Sequence, residues 1–168
     1  MDYDIVDKIY QNVGSATNAG VEVIAAQDVG DWLQLSASFN WYRNTFDAFE
    51  TTLLYPVERP FLISASEDDT WDVRLTSQMD LPAGIEAQLS YLYYAPRNIA
   101  QGTEDARSSV DVGFTKALLD DRLELAISAT DIFNQFGISQ TIDGDGFTAI
   151  YENFYQTQVV NVGLTYSF

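Results

Sequence analysis

Cysteine and histidine are both absent from the 168 residues, and basic side chains are scarce, 8 against 25 acidic ones, for a formal net charge of −17. Without Cys there is no disulfide framework, thiolate metal site or cysteine nucleophile. Without His the usual general base, the Ser-His-Asp triad and most zinc and haem ligation drop out. No remaining nucleophile–base arrangement suggests an enzyme, and nothing calls for a cofactor or a metal. The negative charge repels phosphate backbones and argues against nucleic acid as a partner. Long apolar runs are lacking as well; the longest span a few residues, far below the roughly 18 to 20 of a membrane-crossing helix. The first ten residues (MDYDIVDKIY) carry no basic segment followed by an apolar one, so they do not read as a secretory signal peptide. Missing, finally, is any stretch with apolar residues at i, i+3, i+4 and i+7 over three turns. What is present is 46% apolar and 14% aromatic residues, too many for a disordered acidic tail.

The dominant pattern has period two. Leu33, Leu35, Ala37, Phe39 and Trp41 alternate with Gln34, Ser36, Ser38 and Asn40. Trp71, Val73, Leu75, Met79 and Leu81 alternate with Asp72, Arg74, Thr76 and Gln78, broken only by Ser77. The same holds for Ile85 to Tyr93, Val110 to Thr115, Leu123 to Thr130 and Val160 to Phe168, and more weakly for Asn18 to Gln27. Each such stretch is a strand with one apolar and one polar face, so the chain is all-β.

Short and long connections take turns along the chain. The short ones are Asp28-Val29-Gly30-Asp31, Leu81-Pro82-Ala83-Gly84 and Leu118-Leu119-Asp120-Asp121. The long ones cover roughly 47–69, 95–106 and 135–153 and are rich in polar residues, Gly and Pro. This asymmetry is that of an outer-membrane barrel, with short periplasmic turns and longer extracellular loops. Each strand has about ten alternating residues, enough to cross a hydrocarbon layer when tilted. The apolar stripe then faces outer-membrane lipid, and the Gln, Ser, Thr, Asn and Gly stripe a wet interior. Trp32, Trp41, Tyr42, Trp71, Tyr91, Tyr93, Tyr94, Tyr155, Tyr166 and Phe168 lie near strand ends, where an interfacial aromatic girdle belongs.

The expected architecture is an antiparallel, up-and-down transmembrane β-barrel segment of seven strands. The count becomes eight if Tyr3 to Val13 adds an ascending strand, with Tyr3, Ile5 and Ile9 on one side and Asp4 and Lys8 on the other. Single-chain bacterial barrels normally have an even strand number. Seven strands starting outside and ending in the periplasm therefore point to residues 1–168 as the C-terminal part of a larger barrel domain.

Three segments carry a family resemblance. Tyr10 to Glu22 (YQNVGSATNAGVE) resembles the Tyr-x-Asn-x-Gly…Gly-x-Glu stretch late in TonB-dependent outer-membrane receptors. Arg107 to Asn134 is similar to the closing hairpin of the Bacteroidetes-type branch, whose last strand ends in Asp131-Ile132-Phe133-Asn134. Val159 to Phe168 resembles the C-terminal strand of outer-membrane proteins generally, with its terminal aromatic. The resemblance implies a parent of about 22 strands with an N-terminal plug, located in the bacterial outer membrane and importing a bulky ligand such as a siderophore, metal chelate or glycan. The plug and the TonB-contacting segment are not in this chain, so TonB would act only through that missing part. Val160, Val162, Leu164, Tyr166 and Phe168 resemble the signal read by the barrel-assembly machinery, which recognises an edge strand by strand addition.

Other candidate groups are weaker. Asp143-Gly144-Asp145-Gly146 is half a calcium loop without the remaining ligands and reads as a solvated turn. Glu67-Asp68-Asp69 reads as a charged loop tip beside Trp71. Glu22, Asp72, Glu86, Asp111 and Glu124 fall on the lumen side, where they would either line a path for a cationic or metal-chelate ligand or pair with Arg74, Lys116 and Arg122. Two other function classes fit the pattern: a complete eight-stranded barrel with a structural or adhesion role, and a soluble barrel holding an apolar small molecule. In the soluble case Phe39, Leu89 and Leu164 would share one dry interior.

Overall fold

The structure is a computed structural model that describes residues 14–54, 57–144 and 146–168. The possible strand from Tyr3 to Val13, the first four residues of the Tyr10 to Glu22 segment, and Asp145 lie outside the described residues.

Among the described residues every regular element is a strand. In chain order they are β1 (Ala16–Val29), β2 (Leu33–Phe46), β3 (Phe49–Leu53), β4 (Arg59–Ile63), β5 (Ser66–Leu81), β6 (Ile85–Tyr94), β7 (Arg97–Ile99), β8 (Gly102–Glu104), β9 (Arg107–Leu118), β10 (Leu123–Thr130), β11 (Ile138–Gly144), β12 (Phe147–Asn153) and β13 (Val159–Tyr166). Seven of them form one sheet in the order β1-β2-β5-β6-β9-β10-β13, each antiparallel to its neighbours. This is the expected up-and-down meander, with the seven strands where the alternation places them. The strands run further than the alternation does: β2 continues to Phe46 and β5 begins at Ser66.

The long connections are themselves built of strands. β3 and β4 form a hairpin, and β7, β8, β11 and β12 form a four-stranded sheet in the order β12-β11-β8-β7. It joins two loops distant in sequence, since Gln140, Thr141 and Ile142 pair with Glu104, Thr103 and Gly102. Gly102 is required where it stands: its φ is 122°, and a Cβ there would collide with the Thr141 carbonyl.

At the other end three tight turns reverse the chain through left-handed residues. Gly30 (φ 62°) serves β1–β2, and Ala83 (φ 66°) with Gly84 (φ 64°) serves β5–β6. Leu119, Asp120 and Asp121, all left-handed, serve β9–β10, closed by a bond from the Arg122 amide to the Leu119 carbonyl at 3.3 Å.

The register confirms a two-faced sheet. Val21, Trp41 and Trp71 are successive partners, as are Leu89 and Val112 or Ile127 and Val162, so the odd-numbered apolar residues of β1, β2, β5 and β6 share a face with the even-numbered ones of β9 and β13. That face covers no core. Among the described residues the buried apolar side chains are Ala87 and Ala95. Phe39, Leu89 and Leu164 are 42%, 42% and 69% exposed and meet in no interior, so the soluble-barrel expectation fails. Among the described residues the sheet is not closed: β1 and β13 each have a sheet neighbour on one side.

Candidate functional site

Three surfaces result: an outward apolar face, a polar inner face, and a mouth where the long connections gather. On the outward face, Trp41 and Trp71 are cross-strand partners. The Trp71 ring lies 4.9 Å from Tyr93 and 6.0 Å from Phe39, centroid to centroid. Tyr91 sits one row nearer the middle, between Leu75 and Val110. Trp32 is at the opposite end, in the β1–β2 turn, where its carbonyl accepts from the Asp80 amide at 2.8 Å. Tyr166 and Phe168 occupy that same end, edge to face at 5.2 Å. Trp41, Trp71, Tyr91 and Tyr93 thus lie toward one end of an apolar band, and Trp32, Tyr166 and Phe168 at the other. Tyr42 and Tyr94 belong to the inner face instead, because period two puts them opposite in direction to Trp41 and Tyr93. Tyr155 lies in the β12–β13 connection.

Beyond Trp41 and Trp71, on the mouth side of the band, Arg43 donates two hydrogen bonds of 2.8 Å to Asp69 and stands 3.0 Å from Glu67. The bond from Arg43 holds the Asp69 carboxyl below its ordinary value, while Asp69 raises Arg43. Glu67, Asp68 and Asp69 are therefore not a loop tip; they continue β5, because the strand extends past its apolar stripe.

The inner face carries Glu22, Asp72, Glu86, Asp111 and Glu124, as the alternation requires. Glu22, Asn40 and Asp72 are consecutive cross-strand partners, and Asn40 donates to Asp72 at 2.9 Å. A shallow cleft opens there, floored by Gly20, whose missing Cβ leaves room for the Trp41 carbonyl and Tyr42. The expected ion pairs do not form among the described residues: no carboxylate of this set is bridged to Arg74, Arg122 or Lys116. For Lys116 the reason is register. It pairs with Ile85 and Leu125 and therefore stands on the outward face.

The mouth holds the buried polar groups. Asp131 is 2% exposed, and its carboxylate accepts from the amides of Gln135 (2.9 Å) and Phe136 (3.2 Å) and from the Thr157 hydroxyl (2.6 Å). Its own amide donates to Asp111 at 2.8 Å, and Ser109 donates to the same Asp111 oxygen at 2.6 Å. The Asp131 to Asn134 segment thus works as a knot that ends β10 and ties down the connection to β13. Left-handed Asp131 (φ 46°) and Asn134 (φ 53°) suit residue types that tolerate that region.

A second knot forms around buried Glu104, which is 3.0 Å from Arg97 and accepts from Gln140 at 2.8 Å. Arg107 stands 4.0 Å from Glu104 and lies over the rings of Tyr94 (4.9 Å) and Phe136 (5.1 Å). The alternation gave no sign of Glu104, since β7 and β8 have three residues each, too few to show a period. Asp143 accepts from the Thr148 hydroxyl across the β11–β12 hairpin, and among the described residues no group of three carboxylates could hold a metal ion.

A meander of tilt-length strands with an exposed apolar face, two aromatic levels, short turns at one end and built loops at the other defines a transmembrane β-barrel protein. Residues 2–166 match the model of the outer membrane protein β-barrel family, and the chain belongs to that family. Its location is the bacterial outer membrane. No curated protein and no solved structure matches the chain.

Proposed function

We infer that the chain supplies the last seven membrane strands of a TonB-dependent receptor, which takes up a bulky ligand such as a siderophore, metal chelate or glycan. The observation carrying this reading is the direction of the two edge strands of the sheet that the described residues form. In a seven-stranded antiparallel meander β1 and β13 run the same way, so joining them directly would create a parallel seam. Bacterial single-chain barrels are antiparallel with an even strand number. An odd number of further strands between β13 and β1 removes the seam, and the likeness of Arg107 to Asn134 to a receptor's closing hairpin supports giving those strands to such a receptor. In that parent the mouth sheet captures the ligand, the polar inner face lines its path, and TonB acts through a plug lying outside these strands.

The free edge of β13 fits strand addition by the barrel-assembly machinery, with Val160, Val162, Leu164 and Tyr166 setting register and Phe168 beside Tyr166. Removing Phe168 then lowers insertion of the parent protein, measured as the heat-modifiable fraction in outer membranes.

One measurement, in cells carrying the whole reading frame, tests the receptor reading. Deleting residues 14–168 should abolish TonB-dependent uptake of one substrate in a panel of ferric siderophores and oligosaccharides; undiminished uptake of all of them would sink the reading.

A further inference from the structure

The outward positions of the seven strands carry four charged side chains: Arg43, Glu67, Asp69 and Lys116. Three of them are joined in one ion-pair cluster, Arg43 with both carboxylates, on the mouth side of Trp41 and Trp71. Lys116 is alone at the other end. Its cross-strand partners are Ile85 and Leu125, and its outward neighbours along β9 are Phe114 and Leu118. It has no carboxylate partner among the described residues. An ammonium group on a lipid-facing surface is costly unless it reaches the interface or finds a counter-charge. Lys116 stands one row inside the level of Leu118, Leu123 and Tyr166, two residues from the end of β9. A four-carbon stem spans that distance, carrying the charge to the headgroup level while its methylenes stay in hydrocarbon.

We propose that Lys116 binds the phosphate of an anionic phospholipid in the periplasmic leaflet. The surroundings select this partner over a free anion. One cation is set among Ile85, Phe114, Leu118 and Leu125, which suits a molecule joining a phosphate to acyl chains. Inorganic phosphate would use the charge and leave the apolar surface uncovered. Further barrel strands do not compete for the place, because β9 already has β6 on one side and β10 on the other. The proposal rests on the apolar face meeting lipid and is independent of any transport role.

The protein encoded by the whole reading frame is reconstituted into phosphatidylcholine vesicles containing a minor fraction of phosphatidylglycerol and re-extracted in mild detergent. Retained lipid is then counted by native mass spectrometry. The wild type should retain phosphatidylglycerol preferentially. K116M should lower that retention about fivefold, the weight of one basic side chain near an anionic surface, while phosphatidylcholine retention holds. K116R should keep the preference, and R43A, at the end where the cation is already paired with two carboxylates, should leave it unchanged. Retention by K116M equal to wild type would overturn the headgroup contact alone, as would displacement of the lipid by inorganic phosphate. A chain that enters no vesicle would overturn the contact together with the lipid-facing assignment beneath it.

Discussion

The membrane band and the mouth are built from the same kind of strand, yet they are held in opposite ways. In the band, side chains on both faces stay accessible and Ala87 is the buried apolar residue; order comes from backbone ladders between the seven strands. At the mouth, Thr70, Glu104, Ser109 and Asp131 are buried, and each is engaged by other side chains or the backbone. In lipid the hydrophobic face needs no protein partner, because hydrocarbon supplies one, and only the backbone must be satisfied internally. Outside lipid the loops cannot rely on hydrocarbon, and charged and amide groups fix their geometry through short hydrogen bonds. A substitution should therefore be read by its level along the strand before its chemistry is considered.

The largest effect should come from placing a charge on the lipid side of the band. Leu89→Arg should destabilise the inserted state by about 2 to 4 kcal/mol, the cost near the bilayer midplane. Its neighbour Ser90→Arg, on the inner face, should cost little. Urea titration of vesicle-inserted protein compares them; equal costs would mean that the two faces are not different solvents.

At the mouth, Asp131→Ala removes an acceptor from three donors and should cost about 3 kcal/mol, since buried donors left without partners carry the penalty. Hydrogen exchange should quicken at Gln135 and Phe136 while the β5–β6 ladder stays protected. Glu104→Ala should cost about 2 kcal/mol by stranding Arg97 beside Arg107, and limited proteolysis should then cut within β7 or β8. Spread of either effect into the band would break the contrast.

A smaller gain is expected at the turn side. Asp120→Gly relieves one left-handed residue and should stabilise the inserted state by about 1 kcal/mol. The smallest effect is the pH response of the Arg43–Asp69 pair. The Asp69 carboxyl is lower folded than its ordinary 3.8, so the contribution of the pair is complete above that value and fades as pH falls below it. Both groups are exposed and screened, so Asp69→Asn should change the acid limb of stability only slightly.

The seven membrane strands were legible because one physical rule covers each along its length: alternate residues meet alternate solvents, and the nine residues of Val160 to Phe168 or of Leu33 to Trp41 suffice to show it. The same rule assigned Glu22, Asp72, Glu86, Asp111 and Glu124 to the inner face. The misplacements arose where other cues overrode it: at Tyr42 and Tyr94 nearness to a strand end outweighed parity, and Lys116 was grouped with the lumen carboxylates by charge although its position on β9 turns it outward. The Glu67 to Asp69 run was mistaken for a loop because apolar alternation stops where the strand leaves the hydrocarbon, while the ladder continues.

The sequence by itself determined the fold class, the two faces and the places where the chain reverses, because these depend on neighbours one, two or three residues away. Only the tertiary structure decided how the mouth is made. The pairing of β8 with β11 and the hold of Asp131 on Thr157 join residues 26 or more apart. No local period announces such contacts; they form only once the strands of the sheet have brought their loops to the same end.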